Sequence, residues 1–258
     1  GYYVSMFEIK RKIFESLKNH LEKQEISLIV GPRQAGKTTI MLLLKDYLDK
    51  IGRKTLFLNL DSEADRPFFS SQQSLLARLN LEFGKETGTA FIDEIQRKED
   101  AGLFLKGIYD SRIPHKFVVS GSGSVELKEK IHESLAGRKL LFHLNTLSFE
   151  EFLDFKTTYK YSGRLDEFCE LEKSGLLEPL FDEYIKFGGY PRVVLSETSE
   201  EKGRIIDEIY SSYLIKDISY LLKAEKMDAL RELFRVLSSQ IGQLINYSEL
   251  SSVIGVSQ

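Results

Sequence analysis

Gly31-Pro32-Arg33-Gln34-Ala35-Gly36-Lys37-Thr38 satisfies the spacing G-x-x-x-x-G-K-[ST] at every specified position. The chemistry served by that spacing is the cradling of phosphate. The loop must wrap the anion with its backbone N–H groups turned inward, and a side chain at either glycine would obstruct the turn. Lys37 would reach the β- and γ-phosphates, and the Thr38 hydroxyl would ligate Mg²⁺. Gly31, Pro32, Arg33, Gln34, Ala35, Gly36, Lys37, Thr38 and Thr39 are therefore the expected nucleotide-contacting residues. The competing reading is a glycine-containing strand-to-helix turn.

Three further segments could complete such a site. Thr89-Ala90-Phe91-Ile92-Asp93-Glu94 reads as a strand that turns acidic at its carboxyl end, where ligands of parallel sheets gather. Asp93 would hold the Mg²⁺ shell, directly or through water, and Glu94 would polarise the attacking water. Phe117-Val118-Val119-Ser120-Gly121-Ser122 is another apolar strand, ending in small hydroxyl residues. Ser120, at the strand end, is favoured over Ser122 as a sensor of the γ-phosphate; a plain Gly/Ser loop is the alternative. Arg138, just before the last strand, could neutralise developing charge in its own site or, by a slight preference, in a neighbour's. It could equally be a surface arginine on the sheet edge.

These residues need elements to hold them. Ile9, Ile13, Phe14, Leu17 and Leu21 fall at helical spacing among charges and predict an amphipathic helix. Ile26-Ser27-Leu28-Ile29-Val30 predicts a strand covered on both faces, followed by a helix from Thr38 to near Gly52. Further strands are predicted at 54–60, 89–92, 116–119 and 139–144, with helical patterns between them, which implies βαβ units and a mostly parallel sheet. After about 149 the strand signals stop. Ile205, Ile206, Ile209, Tyr210, Tyr213, Leu214, Ile218 and Leu221 trace one helical stripe. The tail from 244 to 258 reads as the first part of a helix-turn-helix, with Ser248 as N-cap, Gly255 in the turn and Ser257 capping the next helix. This half-motif predicts that the missing helix and wing follow in a longer chain; a frayed terminal helix is the alternative.

Composition sets the limits. Over 258 residues, 36 Lys and Arg face 39 Asp and Glu, so the net charge of -3 supplies no global attraction to nucleic acid or acidic membranes. One cysteine, Cys169, excludes an intramolecular disulfide and a cysteine-based zinc site, and the four histidines lack metal-ligand spacing. No apolar run approaches 18 residues and the amino terminus carries charges too early for a signal peptide, so a cytoplasmic location without membrane contact is expected.

Gly-Pro-Arg-Gln-Ala-Gly-Lys-Thr-Thr at 31–39, Asp-Glu-Ile-Gln at 93–96, Ser-Gly-Ser at 120–122, Leu-Ala-Gly-Arg at 135–138, Leu-Ser-Phe-Glu-Glu-Phe at 147–152 and Gly-Gly-Tyr-Pro at 188–191 come in an order that resembles the archaeal and bacterial AAA-type P-loop ATP-binding proteins. Members of that family carry an ATPase core, a helical region, a winged helix and a further carboxy-terminal domain. The resemblance implies an α/β core with five parallel strands ordered 5-1-4-3-2, the acidic strand not adjacent to the phosphate-loop strand. It implies a core over 1–150, a helical region over 151–226 and a partial winged helix-turn-helix over 227–258. It assigns the phosphate loop to Gly31, Gly36, Lys37 and Thr38, the acidic pair to Asp93 and Glu94, and a sensor to Ser120. One departure is Asn145-Thr146, where relatives commonly show a proline; only a local change in the strand exit is expected.

The expected function is an ATPase that slowly hydrolyses Mg-ATP to drive a conformational switch, with ATP and Mg²⁺ as cofactors and ADP as the product state. The alternative is a DNA-tethered regulatory module in which nucleotide gates assembly. A small-molecule kinase is disfavoured, because a glutamate placed to activate water would waste ATP. Duplex DNA, through a completed winged helix, and a second copy of the chain remain open as partners. Gly188-Gly189-Tyr190-Pro191 is expected to turn tightly, near either the nucleotide or a hinge.

Overall fold

Strand segments that are apolar on both sides must be covered on both sides, and the computed structural model does this with helices. It describes residues 9–122, 134–172, 175–213, 227–240, 242 and 244–254. Leu214, Ile218 and Leu221 of the helical stripe, and Gly255 and Ser257 of the tail motif, lie outside the described residues.

The strands are β1 (Ile26–Gly31), β2 (Lys54–Asn59), β3 (Gly88–Asp93), β4 (Lys116–Ser122) and β5 (Lys139–His143). They form one sheet in the order β2-β3-β4-β1-β5, every neighbouring pair parallel. This is the expected order, with β4 between the phosphate-loop strand and the acidic strand.

Alternation along each strand divides the core. Ile26, Leu28 and Val30 of β1, Ala90 and Ile92 of β3, and Phe117 and Val119 of β4 join one cluster with α3 (Gln72–Phe83) and α4 (Ala101–Asp110). The intervening Ile29, Phe91 and Val118 face the other way, into α1 (Ile13–Asn19) and α2 (Lys37–Lys50). Burying each of these large apolar side chains contributes about 1.5–3 kcal/mol.

After β5 the chain is helical: α5 (Phe149–Lys156), α6 (Leu165–Leu171), α7 (Leu177–Phe187), α8 (Pro191–Leu195), α9 (Ser199–Tyr213), α10 (Met227–Ser239) and α11 (Tyr247–Ile254). Ile9, Leu147, Phe152, Leu153, Phe168 and Val194 make a third core cluster under the first of these helices. The chain divides into two compact units, 1–206 and 207–258. The change to all-helical composition near 149 falls inside the first unit.

Within the second unit, α11 corrects the expected cap. Asn246 Oδ1 accepts from the Ser248 N–H at 3.1 Å, so Asn246 caps the helix and Ser248 lies in its first turn. Asparagine is as good an N-cap as serine, and its side-chain carbonyl reaches the second helical N–H.

Candidate nucleotide site

β1 ends at Gly31, a position where nothing larger fits. A Cβ on Gly31 would lie 1.9 Å from the Leu144 carbonyl oxygen, where the exit of β5 crosses the end of β1 and Leu144 N–H donates to Val30 O at 2.8 Å. The loop then turns through left-handed backbone at Gln34 (φ 60°) and Gly36 (φ 96°) before α2 begins at Lys37. Gly36 accommodates this at no steric cost; Gln34 does so under strain, a condition concentrated at ligand-binding turns. Lys37 is buried, and its Nζ donates to the carbonyls of Gly31 at 3.1 Å and Pro32 at 2.8 Å.

The register that pairs Ile92 with Val119 puts Ser120 level with Asp93. Asp93 is 1% exposed, and its carboxylate is held from three sides. Thr38 Oγ1 donates to Oδ2 at 2.7 Å; Ser120 Oγ and the Glu94 N–H, the latter at 3.1 Å, donate to Oδ1. The Glu94 N–H also reaches Ser120 Oγ at 3.3 Å. Glu94 has left-handed backbone (φ 59°), and its carboxylate accepts from the Gln96 amide. Thus Lys37, Thr38, Asp93, Glu94 and Ser120, expected together from sequence, are brought together at the carboxyl ends of β1, β3 and β4, with Pro32, Arg33, Ala35 and Thr39 in the same loop and helix start.

Arg138 is not brought there. Its carbonyl accepts from the Ile26 N–H at 2.9 Å, which fixes it at the amino end of the sheet, and its guanidinium pairs with Asp110 at 2.8 Å. Five strand steps separate that level from Gly31, about 17 Å at the usual rise. In this structure Arg138 forms an ion pair at the sheet edge, away from the phosphate loop.

Sequence reasoning missed two arginines. Arg11 Nη1 donates to Ala35 O at 3.0 Å, and Arg192 Nη1 donates to Gln34 Oε1 at 3.0 Å. Arg192 is carried there by the Gly-Gly-Tyr-Pro turn. Gly189 O accepts from Leu147 N–H at 2.7 Å, and a Cβ on Gly189 would meet Leu147 O at 2.2 Å, so only glycine permits this approach. Pro191 Cγ lies 3.9 Å from where a Gly36 Cβ would be. The turn is thus beside the phosphate loop. For Arg11 one signal was present: Ser148 and Glu151 form a capping box at the start of α5, and Glu151 also anchors Arg11.

A strand-loop-helix with an amine at its base, facing a threonine hydroxyl and a buried carboxylate, is the constitution of a P-loop nucleotide-binding protein. An AAA-domain family model matches residues 23–153, and the chain belongs to that family. A second model, a domain of unknown function, matches 178–258. The chain is 27% identical over 233 residues to an uncharacterized protein of Haemophilus influenzae, covering 89% of this chain and 55% of that one. It is 26% identical over 252 residues to one of Methanocaldococcus jannaschii, covering 96% and 54%. The chain therefore spans about half the length of the curated relatives it matches. Among solved structures it is similar to the Aeropyrum pernix ORC1 protein in complex with DNA, with TM-score 0.46 and 14% identity, over 98% of this chain and 86% of that one. Among the described residues, no helix is long and apolar enough to cross a membrane.

Proposed function

We propose that the chain binds Mg-ATP at residues 31–39 and hydrolyses it slowly, and that the change of nucleotide state alters how the helical segment after β5 is held against the loop. The observation that carries this is the 2.7 Å hydrogen bond between Thr38 and Asp93, 55 residues apart in sequence. Two hard oxygen donors meet at the base of a loop of backbone amides, as an octahedral Mg²⁺ with few protein ligands requires. Bound there, Mg²⁺ would be held by Thr38 and Asp93 and would neutralise charge on the β- and γ-phosphate oxygens.

The chain's own groups supply the rest. Lys37 exchanges the carbonyls of Gly31 and Pro32 for phosphate oxygens. Ser120 fixes the Asp93 carboxylate and so acts as a positioning residue before it acts as a sensor. Glu94 releases the Gln96 amide and accepts a proton from the attacking water. Arg192 stands beside Gln34, close enough to the loop to sense the terminal phosphate. Turnover is slow because Glu94 begins engaged by Gln96 and because Arg138 is remote.

Thermal shift with ATP, GTP and buffer, followed by phosphate release with and without duplex DNA, tests the reading. At a hundredfold excess of ligand over Kd, binding adds about 2.7 kcal/mol, a rise of roughly 5–10 °C for a chain of this size. Lys37→Ala abolishes most of that rise. Glu94→Gln keeps it while cutting hydrolysis by on the order of 10²-fold. A rise unchanged in Lys37→Ala overturns the site, and phosphate release dependent on duplex DNA favours the DNA-tethered alternative.

A further inference from the structure

Arg11 lies two residues before α1, with a side chain 10% exposed. A guanidinium so enclosed needs acceptors for a planar fork of five N–H donors. They come from two regions far apart in sequence, the phosphate loop and residues 145–151. Nε donates to Glu151 Oε1 at 3.2 Å, Nη1 to Ala35 O at 3.0 Å, and Nη2 to Asn145 O at 2.7 Å and Thr146 O at 3.4 Å. One side chain thus ties together the segment before α1, the phosphate loop, the exit of β5 and the first turn of α5.

Its acidic partner is equally constrained. Glu151 is buried; its Oε1 also accepts from Lys12 N–H at 2.9 Å and its Oε2 from Ser148 N–H at 3.0 Å, while its own N–H donates to Ser148 Oγ at 3.2 Å. The carboxylate is built into the cap of α5, so Arg11 and α5 move together. On the other side, the Ala35 carbonyl points at Arg11. In a trans peptide the following N–H points the opposite way, so the Gly36 N–H is directed away from Arg11. The fork therefore sets the orientation of one of the amides a phosphate would use.

We propose that Arg11 is a positioning residue with two effects: it orients the Ala35–Gly36 peptide for nucleotide, and through Glu151 it transmits occupancy of the loop to α5. This rests on the nucleotide reading above. A lysine keeps the charge, but a single ammonium cannot span three carbonyls and a carboxylate.

Amide hydrogen exchange on the whole chain, with and without saturating Mg-ATP, tests this. In the parental chain nucleotide slows exchange both at 33–38 and at 148–156. In Arg11→Lys the Kd for ATP rises about tenfold, a cost near 1.4 kcal/mol; at saturation the loop is still protected and 148–156 is not. Glu151→Gln, which leaves Arg11 on Ala35, keeps a Kd within about threefold of the parent but loses the protection at 148–156. This second variant decides the matter should Arg11→Lys fail to fold by circular dichroism. Protection of 148–156 that survives in either folded variant overturns the proposal. A parental chain protected at 33–38 but not at 148–156 overturns it alone, whereas one protected at neither overturns the nucleotide reading itself.

Discussion

The two ends of the parallel sheet both bury charge, and they do so for different ends. At the carboxyl end Asp93 is held by Thr38, Ser120 and the Glu94 N–H, beneath a loop whose Gly31 and Pro32 carbonyls accept from Lys37 Nζ. At the amino end the buried charge is Lys116. Its Nζ donates to the carbonyls of Lys23, at 2.9 Å, and Glu25, and meets His20 Nδ1 at 3.3 Å, while His20 bonds Ser27 Oγ at 2.7 Å. A cleft of about 660 Å³ opens there, lined among others by Lys23, Arg53, Lys85, His115 and Lys116. Burial pushes Lys116 down to about 8 and also lowers His20 and His115. Shifted titration alone would select this end. Yet its cation already spends its protons on backbone carbonyls and an imidazole, which fastens β4 to the connection between α1 and β1. The lesson is that a site is marked by what its groups leave to do: Thr38 and Asp93 are hard oxygen ligands at the base of the phosphate loop, with Asp93 held by Thr38, Ser120 and the Glu94 N–H, whereas Lys116 is a structural tie.

Substituting a glycine at each end should separate these roles. A Cβ at Gly31 meets backbone at 1.9 Å, while one at Gly88, at the amino end of β3, meets the Phe83 ring at 2.5 Å. The Leu144 backbone is fastened to β1 by its N–H on Val30 O, whereas a ring can tilt. Gly31→Ala is expected to cost about 3 kcal/mol through overpacking, a fall of roughly 6–12 °C, and to abolish the ATP-induced rise. Gly88→Ala is expected to cost about half as much and to leave that rise intact. Equal losses of the ATP response in both variants would end the distinction between the two ends.

A smaller effect comes from the titrating groups of the amino end. An unfolded histidine titrates near 6.5, and burial holds His115 below that. As pH falls below about 6.5 the unfolded chain takes up this proton first, so stability falls on acidification. His115 Nδ1 accepts from the Gly88 N–H at 3.3 Å, a bond an imidazolium cannot make there. His115→Gln retains an acceptor without the titration and should lessen the fall in melting temperature below about pH 6.5. Lys116 acts in the opposite window: between about 8 and the unfolded value near 10.4 the unfolded chain holds more protons, so stability rises with pH. Lys116→Met should remove that rise, measured as the difference from the parental curve. A slope unchanged in both variants would assign the pH response to other groups.

What the sequence made legible follows from range. The phosphate loop is local, nine consecutive residues between a buried strand and a helix, and the structure has it where the spacing put it. Asp93 was readable because it ends an apolar strand; β4 runs two residues past Ser120, and it is the register pairing Ile92 with Val119 that sets Ser120 level with Asp93. The Arg11–Glu151 pair spans 140 residues and depends on how the exit of β5 crosses β1, which no local pattern encodes. The placement of Gly-Gly-Tyr-Pro beside the loop likewise depends on the close backbone approach of Gly189 to Leu147. Arg138 is a different case. It was read as standing just before a strand, and in a parallel sheet that position is at the amino end, opposite the phosphates; the direction of the strand already carried the answer.

Arg138 also gives the smallest expected effect, because its pair with Asp110 is on the surface and the hydrogen bond to Asp110 only reinforces a charge it already carries. Arg138→Ala should leave the melting temperature and the ATP-induced rise unchanged, and hydrolysis per molecule unchanged at low protein concentration, since it stands at the amino end of the sheet, about 17 Å from the level of Gly31. A route to the chemistry remains through a neighbouring copy, in which the amino end of one sheet would meet the carboxyl end of another. That arrangement has a distinct signature: specific activity rises with protein concentration in the parental chain and stays flat in Arg138→Ala. Activity that is flat in both returns Arg138 to the sheet edge as an ordinary surface pair. Activity lost at high dilution in Arg138→Ala would instead mean that the two ends of the sheet communicate within one molecule, and the contrast between them would have to be redrawn.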